Sequence, residues 1–170
     1  MGDSITAGSQ PLGRSPAPGG ASWLSSLGGP PLEFTGGWAV PGATTLDMRA
    51  GVTPHPADVV VLMAGTNDLN RFAWATSAAN LRAIVTTVGV AHVLVSAIPP
   101  NDRLPTERNT FNGRLRLLAA QLGWRFFDPW TEVSAGGRYT RGGTVDGVHP
   151  TVRTARAVGE RIRAELLTYR

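Results

Sequence analysis

Residues 58–68 read Asp-Val-Val-Val-Leu-Met-Ala-Gly-Thr-Asn-Asp, an apolar run between polar residues. β-branched residues favour strands, and a run that no polar residue interrupts is typical of a strand buried on both faces. We therefore predict such a strand over Asp58–Ala64. Strands of this kind occur mainly in parallel sheets that helices cover on both sides.

The segments around this run alternate between strand and helix patterns. Further strands are predicted at Leu32–Val40, His92–Ile98 and Arg125–Phe127, and helices at Ala21–Leu27, Thr44–Ala50, Trp74–Val88, Thr106–Leu122 and Thr151–Leu167. This alternation indicates an α/β fold with a parallel sheet. With 170 residues and no repeat or linker, residues 1–170 are predicted to form a single domain.

Composition narrows the function classes. All 16 basic residues are arginine, and the formal net charge is +4. The arginines are spread along the chain without a recognition motif, so nucleic acid is not predicted as a partner. The absence of cysteine excludes disulfides, thiolate catalysis and cysteine-based metal sites, and His55 and His92 have no partner at metal-ligand spacing. No run reaches the roughly 18 apolar residues of a transmembrane helix. Oligomeric state and compartment stay open.

Two short motifs near the ends of the chain supply the groups for acyl transfer. Residues 2–6 read Gly-Asp-Ser-Ile-Thr, and residues 146–150 read Asp-Gly-Val-His-Pro. A serine hydroxyl is a weak nucleophile until a base takes its proton, and the base works best when a third group orients it. Ser4, His149 and Asp146 are therefore the predicted nucleophile, base and orienting acid.

Each of these residues also has a structural interpretation. Ser4 could cap a helix after a tight turn, and His149 could be a structural residue that precedes the last helix. Asp146 could orient the histidine without being essential, since some catalytic serines work with a histidine alone. Asp3 is interpreted as a turn residue, and Asp68 as a residue that hydrogen-bonds local backbone.

Four short blocks, in this order along the chain, resemble those of a known enzyme family. Ser4 lies in the block GDSIT, Gly42 in VPGAT, Asn67 in GTND, and Asp146 and His149 in DGVHP. On these blocks the chain is similar to the SGNH hydrolase superfamily and to its GDSL-type esterase/lipase family. The resemblance spans nearly the whole chain.

The resemblance implies a fold and an oxyanion hole. The fold is a three-layer α/β/α, flavodoxin-like SGNH hydrolase fold with a parallel sheet in the order 2-1-3-4-5. Ester cleavage builds negative charge on the carbonyl oxygen, which then needs hydrogen-bond donors. By resemblance these donors are the Ser4 N–H, the Gly42 N–H and the Asn67 side-chain amide. Three glycines compete with Gly42 for the glycine block: Gly36, Gly37 and Gly51.

The chain departs from the family at its beginning. Only Met1 precedes Gly2, whereas in the family a buried first strand precedes the nucleophile. We therefore expect the first strand to be missing or truncated, with unpaired backbone groups on both sides of an internal gap. Either the start is mis-assigned or the sequence clipped, with Met1 the last residue of a longer strand, or the chain is this short and marginally folded around Ser4. The first explanation is favoured.

The resemblance implies a serine esterase that works without an organic cofactor or a metal. The expected substrates are small or short-chain carboxylic esters, including acetyl esters of carbohydrates, because no long insertion is available to form a lid. Trp130 and Phe72 are predicted to bind the substrate, and residues 139–144 could line the pocket. Alternatives are a lysophospholipase or acyl-thioesterase, acyl transfer to another alcohol, and a non-catalytic module that binds acylated ligands if the missing strand disables the site.

Overall fold

The computed structural model describes residues 1–8, 12 and 20–169. Its α-helices are α1 (Ser4–Ala7), α2 (Thr45–Gly51), α3 (Trp74–Val88), α4 (Pro105–Leu122) and α5 (Val152–Leu166). Its strands are β1 (Val59–Leu62), β2 (His92–Ser96), β3 (Arg125–Phe127), β4 (Ser134–Ala135) and β5 (Arg138–Tyr139). Short 3₁₀ helices cover Trp23–Ser26, Thr66–Asp68 and Thr131–Val133.

The sheet is parallel and runs in the order β1-β2-β3, with Val60 opposite Val93. Beyond β1 it continues through single parallel pairings, in which Gly2 lies between Met63 and Ala39. The order across the sheet is therefore Ala39, Gly2, β1, β2 and β3, which confirms the predicted flavodoxin-like order. β4 and β5 form a separate antiparallel hairpin.

Successive residues of β1 and of the segment after it alternate between two hydrophobic clusters, one on each face of the sheet. Leu62 and Ala64 pack with α2, α3 and α4, whereas Met63 packs with α1, α5 and the 3₁₀ helix at Trp23–Ser26. The same alternation holds in β2, where Val93 and Leu94 belong to opposite clusters. Because side chains of a strand point alternately to its two faces, one short sheet supports helical layers on both sides. The three-layer α/β/α prediction is confirmed.

Local sequence signals explain where the main helices begin and end. Thr44 and Asp47 form a capping box at the start of α2, in which each side chain bonds the other residue's backbone N–H. Gly89 and Gly123 end α3 and α4 in the left-handed conformation that glycine adopts without steric cost. The predicted bounds of α3 and β3 are confirmed at both ends, and α2 begins and ends one residue later than predicted.

Three predicted elements differ in the structure. In the segment Leu32–Val40, Ala39 forms isolated pairings and no strand is present. Ala39 pairs in parallel with Gly2 and antiparallel with Leu12, each through a single bridge, and no ladder extends from it towards Leu32. Val59–Val61 are half-buried rather than fully buried, because the pairing beyond β1 consists of the single bridge between Gly2 and Met63. The helix predicted at Ala21–Leu27 is a single 3₁₀ turn.

The expected gap beside the nucleophile is bridged at the end of the sheet where the nucleophile lies. The Met63 N–H donates to the Met1 carbonyl at 3.1 Å, and the Gly2 N–H donates to the Trp38 carbonyl at 3.1 Å. The Val40 N–H donates in turn to the Gly2 carbonyl at 3.4 Å. Two residues thus pair with both neighbouring segments, and they anchor the chain directly before Ser4.

Substitution by alanine should have opposite effects on stability at two glycines that lie within helices, Gly159 in α5 and Gly113 in α4. A Cβ at Gly159 would lie 2.1 Å from the Trp23 carbonyl oxygen and 2.9 Å from Ser26 Cβ, whereas one at Gly113 in α4 meets nothing within 4 Å. Gly159→Ala should therefore destabilise the protein by pushing α5 off the 3₁₀ helix. Gly113→Ala should stabilise it by about 0.5–1 kcal/mol, because alanine loses less backbone entropy in a helix. Urea unfolding of both variants tests this, and a stable Gly159→Ala protein would contradict the packing argument.

Candidate active site

Ser4 begins a tight helical turn that Asp3 caps. The Asp3 carboxylate accepts a hydrogen bond from the Ile5 N–H at 3.0 Å, and its carbonyl accepts bonds from the Thr6 and Ala7 N–H groups. A Cβ at Gly2 would lie 2.1 Å from Thr6 Oγ1, so a glycine is required where this turn leaves the sheet. The turn that carries Ser4 is therefore held by the cap at Asp3 and by the close packing of Gly2 against Thr6.

The three predicted catalytic side chains form one continuous chain of hydrogen bonds. Ser4 Oγ lies 2.9 Å from His149 Nε2, although the two residues are 145 positions apart in sequence. On the other side of the ring, His149 Nδ1 lies 2.8 Å from Asp146 Oδ2. This arrangement suits a base that accepts the serine proton through Nε2 while the carboxylate holds the Nδ1 hydrogen.

The Asp146 carboxylate also shapes the loop that carries His149. Its Oδ1 accepts hydrogen bonds from the Val148 N–H at 2.9 Å and the His149 N–H at 2.8 Å. Partial burial raises the pKa of Asp146, but the hydrogen bonds from His149 and Val148 outweigh this and lower it to about 2. The carboxylate is therefore ionised across the neutral pH range, as an orienting partner of an imidazolium requires.

Three residues outside the predicted blocks hold this loop in place. The Asp102 N–H donates to the Gly147 carbonyl at 2.7 Å, and the Tyr139 hydroxyl donates to the Val148 carbonyl at 3.0 Å. The Arg103 guanidinium donates to the Asp146 carbonyl at 3.3 Å. We did not predict these contacts. One feature of the sequence could have indicated them. The loop after Pro99-Pro100 follows β2 and therefore begins at the edge of the sheet where the catalytic blocks lie.

The predicted oxyanion donors lie at the carboxyl ends of three neighbouring segments of the sheet. Ser4 follows Gly2, Gly42 follows Ala39, and Asn67 follows Met63, each by no more than four residues. Because parallel segments end at one edge, the pairing of Gly2, Ala39 and Met63 brings the three blocks together.

The glycine and asparagine blocks also touch each other. Asn67 Nδ2 donates to the Ala43 carbonyl at 3.0 Å, directly beside Gly42. Gly42 is exposed with φ +79°, and a Cβ there would meet nothing, so its backbone is open to a ligand. Two of the competing glycines lie in close contact with side chains, since Gly51 approaches the Trp38 indole and Gly36 approaches the His55 ring.

The two predicted substrate-binding residues differ in position. Trp130 is fully buried in the α5 side of the core, and its indole N–H donates to the Ala97 carbonyl at 3.0 Å. A substrate cannot reach this side chain, so the prediction for Trp130 is wrong. The sequence around an aromatic residue that follows β3 does not distinguish the core from the rim of a site. Phe72 is half-buried on the segment that follows Asn67, and its role stays a prediction.

Three other polar residues, Asp68, His55 and His92, make contacts that stabilise the fold. The predicted local role of Asp68 is wrong, because its carboxylate binds side chains and backbone of α2 and α3. The His55 ring contacts Thr35, and His92 packs edge-to-face on Tyr169.

Within residues 1–8, 12 and 20–169, no cluster of three or more His, Asp or Glu side chains could hold a metal ion. In the same part of the chain, no helix is long and apolar enough to cross a membrane.

Burial of Asp3 predicts a pH-dependent cost. Burial raises the pKa of Asp3 to about 6, although the hydrogen bond from the Ile5 N–H opposes the rise. A raised pKa means that the folded state loses relative stability as pH increases from about 4 through 6. Asp3→Asn keeps the acceptor for Ile5 and removes the charge. Its stability relative to the native protein should therefore rise by about 2 kcal/mol between pH 4 and pH 7.5.

Urea unfolding at both pH values measures this difference. Asp146→Asn is the control, because the lowered pKa of Asp146 stabilises the fold above about pH 4 and this contribution is lost only as pH falls towards 2, so its difference from the native protein should stay nearly constant between pH 4 and pH 7.5. An unchanged difference between Asp3→Asn and the native protein at the two pH values would contradict the burial argument.

Comparisons with known proteins identify the family and the fold. The model of the GDSL-like lipase/acylhydrolase family matches residues 1–157. A solved member of the lipolytic protein G-D-S-L family from Veillonella parvula is 19% identical, with TM-score 0.73, 99% of this chain covered and 96% of that chain. A GDSL-like lipase from Bacteroides thetaiotaomicron is 18% identical, with TM-score 0.71 and coverage of 98% and 85%.

A structure described as a carbohydrate esterase family 3 protein from Talaromyces cellulolyticus is 18% identical, with TM-score 0.67 and coverage of 98% of this chain and 94% of that one. At these identities the likeness shows a shared fold. No curated protein sequence matches the chain significantly.

Proposed function

Because the chain belongs to the GDSL-like lipase/acylhydrolase family and is a hydrolase that acts on ester bonds, we propose that Ser4, His149 and Asp146 are its catalytic triad. The observation that carries the proposal is the 2.9 Å contact of Ser4 Oγ with His149 Nε2, continued at 2.8 Å to Asp146. A nucleophile in contact with an oriented base is the arrangement that serine-dependent acyl transfer requires.

The proposed reaction has two halves. His149 Nε2 accepts the Ser4 proton while Ser4 Oγ bonds to the ester carbonyl carbon. The negative oxygen accepts hydrogen bonds from the Ser4 and Gly42 N–H groups and from Asn67. The bond to the alcohol then breaks, His149 returns its proton to the leaving oxygen, and acyl-Ser4 remains. Water attacks the acyl group by the same route, which releases the acid and restores Ser4.

We propose small or short-chain esters as substrates, including acetyl esters of carbohydrates. The Asp146 and His149 side chains are 42% and 44% exposed, so the acid–base pair is open to solvent rather than buried under a lid. An open site gives a long acyl chain little surface to bury, and it accepts a polar, solvated alcohol. The description of one structural neighbour as a carbohydrate esterase supports this choice.

A second candidate is cleavage of longer acyl chains, as in a lysophospholipase or acyl-thioesterase. Val145, next to Asp146, is 70% exposed, and it offers an apolar surface beside the acid–base pair. Hydrolysis of p-nitrophenyl acetate, butyrate and octanoate separates the candidates. We expect kcat/KM to fall from acetate to octanoate, whereas a preference for octanoate would favour the second candidate.

Replacing the nucleophile tests the triad. Ser4→Ala should lower kcat by roughly 10³-fold or more, because it removes the atom that forms the acyl-enzyme. The variant should keep its melting temperature, since the Ser4 hydroxyl is partly exposed and its bond to His149 is not in the core. Turnover comparable to the native protein would exclude Ser4 as nucleophile.

Covalent labelling separates an enzyme from a binding module. A fluorophosphonate should add one phosphonyl group to Ser4 in the native protein and none in Ser4→Ala, as read by intact mass. A native protein that binds acylated ligands without being labelled would instead be the non-catalytic module. Added methanol or a sugar would reveal acyl transfer as a new ester product in place of the free acid.

Removing a proposed oxyanion donor should affect the chemical step. Asn67→Ala should lower kcat by about 10²–10³-fold with a smaller change in KM, because the donor acts mainly on charge that develops in the transition state. Asn70→Gly is the matched control, since Asn70 is an exposed asparagine three residues further along the same loop, and glycine adopts its φ of +58° without strain. Equal losses in both variants would mean that the loop, and not the Asn67 amide, matters.

A further inference from the structure

Asp68 is a buried carboxylate whose two oxygens accept three hydrogen bonds. Its Oδ1 accepts a hydrogen bond from the Thr45 N–H at 2.9 Å. Its Oδ2 accepts bonds from the Thr45 hydroxyl at 2.6 Å and the Ser77 hydroxyl at 2.5 Å. Hydrogen bonds to a charged acceptor are stronger than those between neutral groups, and a buried charge without them is costly. The carboxylate therefore ties the 3₁₀ turn at Thr66–Asp68 to both α2 and α3.

The same network continues away from the carboxylate. Asn80 Nδ2 donates to Thr45 Oγ1 at 3.1 Å, and the Arg49 guanidinium donates to Asn80 Oδ1 at 3.4 Å. Thr45, Ser77 and Asn80 are buried as completely as Asp68 itself. Thr45 in the first turn of α2 is thereby held from two directions by buried side chains.

The two ends of this link lie next to two of the proposed oxyanion donors. Asn67 immediately precedes Asp68, and Gly42 lies three residues before Thr45. Asn67 Nδ2 spends one of its two hydrogens on the Ala43 carbonyl at 3.0 Å, which leaves the other for a ligand. The separation of the Gly42 N–H from the free Asn67 hydrogen therefore depends on where Asp68 holds Thr45.

We propose that Asp68 is a positioning residue that sets the geometry of the oxyanion hole. It touches no substrate, and it acts by fixing the turn of Asn67 against the start of α2, where the Gly42 segment ends. This inference rests on the proposed function of the site. It requires that loosening the link lowers transition-state stabilisation more than it lowers substrate binding, because the donors act on the oxyanion.

Steady-state kinetics of Asp68→Asn is the first test. The asparagine keeps the shape and loses the charge and one acceptor. We expect kcat to fall by about 10–100-fold with KM changed by less than about threefold, as for a donor displaced by a fraction of an ångström. Arg163→Gln is the control for lost stability alone, since Arg163 lies in the last turn of α5 and its guanidinium donates to the Leu27, Gly29 and Pro30 carbonyls.

Matched variants at Thr45 sharpen the test. Thr45→Val removes the hydroxyl that bonds Asp68 and should lower kcat, whereas Thr45→Ser retains the hydroxyl and should behave as the native protein. In an Asn67→Ala background, Asp68→Asn should cost less than it does alone, because the donor that it positions is gone. Unchanged kcat in Asp68→Asn, or losses that multiply fully in the double variant, would overturn the proposal.

A spectroscopic readout keeps this test separate from the test of the triad. The side-chain amide signals of Asn67 in an ¹⁵N NMR spectrum should shift in Asp68→Asn and also in Thr45→Val, which loosens the same link from 22 positions away in sequence, and they should stay in place in Thr45→Ser and Arg163→Gln. This measurement needs no turnover. If the native protein showed no Ser4-dependent activity, the proposed function would fail, and the Asn67 signals would still decide whether Asp68 positions that amide. Unshifted Asn67 signals in Asp68→Asn would overturn the inference.

Discussion

The parallel pairing of Gly2 between Ala39 and Met63 is the constraint on which the site depends. Each of these residues leads within four positions into a block that carries a proposed catalytic donor. Because the segments are parallel and adjacent, their carboxyl ends cannot separate without breaking backbone hydrogen bonds. Met1 and Gly2 supply those bonds to both neighbours at the end of the sheet where Ser4 stands.

Two buried carboxylates support the edge of the sheet from within. Asp3 caps the turn of Ser4, and Asp68 binds α2 and α3 behind Asn67. They differ in the number of hydrogen bonds that their oxygens accept. Asp68 has three donors close to its oxygens, while burial is the main influence on Asp3 and raises its pKa to about 6. Asp146, which is exposed, takes the opposite course because donors from its own loop lower its pKa.

The loop of residues 146–149, which carries Asp146 and His149, is held beside Ser4 by a different set of contacts. It precedes α5, which packs through Gly159 against the 3₁₀ helix at Trp23–Ser26. From the opposite side, Asp102 and Tyr139 bond the carbonyls of Gly147 and Val148. The contact between Ser4 and His149 thus joins the two ends of the chain across the edge of the sheet. Its geometry depends on contacts from the loop after β2 and from the β4–β5 hairpin.

The sequence by itself determined the class of fold and the blocks that carry the chemistry, because these follow from local patterns. An apolar run specifies a buried strand, glycines end α3 and α4, and short motifs hold the serine, histidine and carboxylate. Which side chains are buried, which segments pair in the sheet and which groups form hydrogen bonds depended on the tertiary structure. Trp130 belongs to the core, Leu32–Val40 lacks a strand, and Asp68 binds residues 23 and 9 positions away. The physical reason is that a side chain's partners are set by which elements pack together, and residues distant in sequence leave no local signal of that packing.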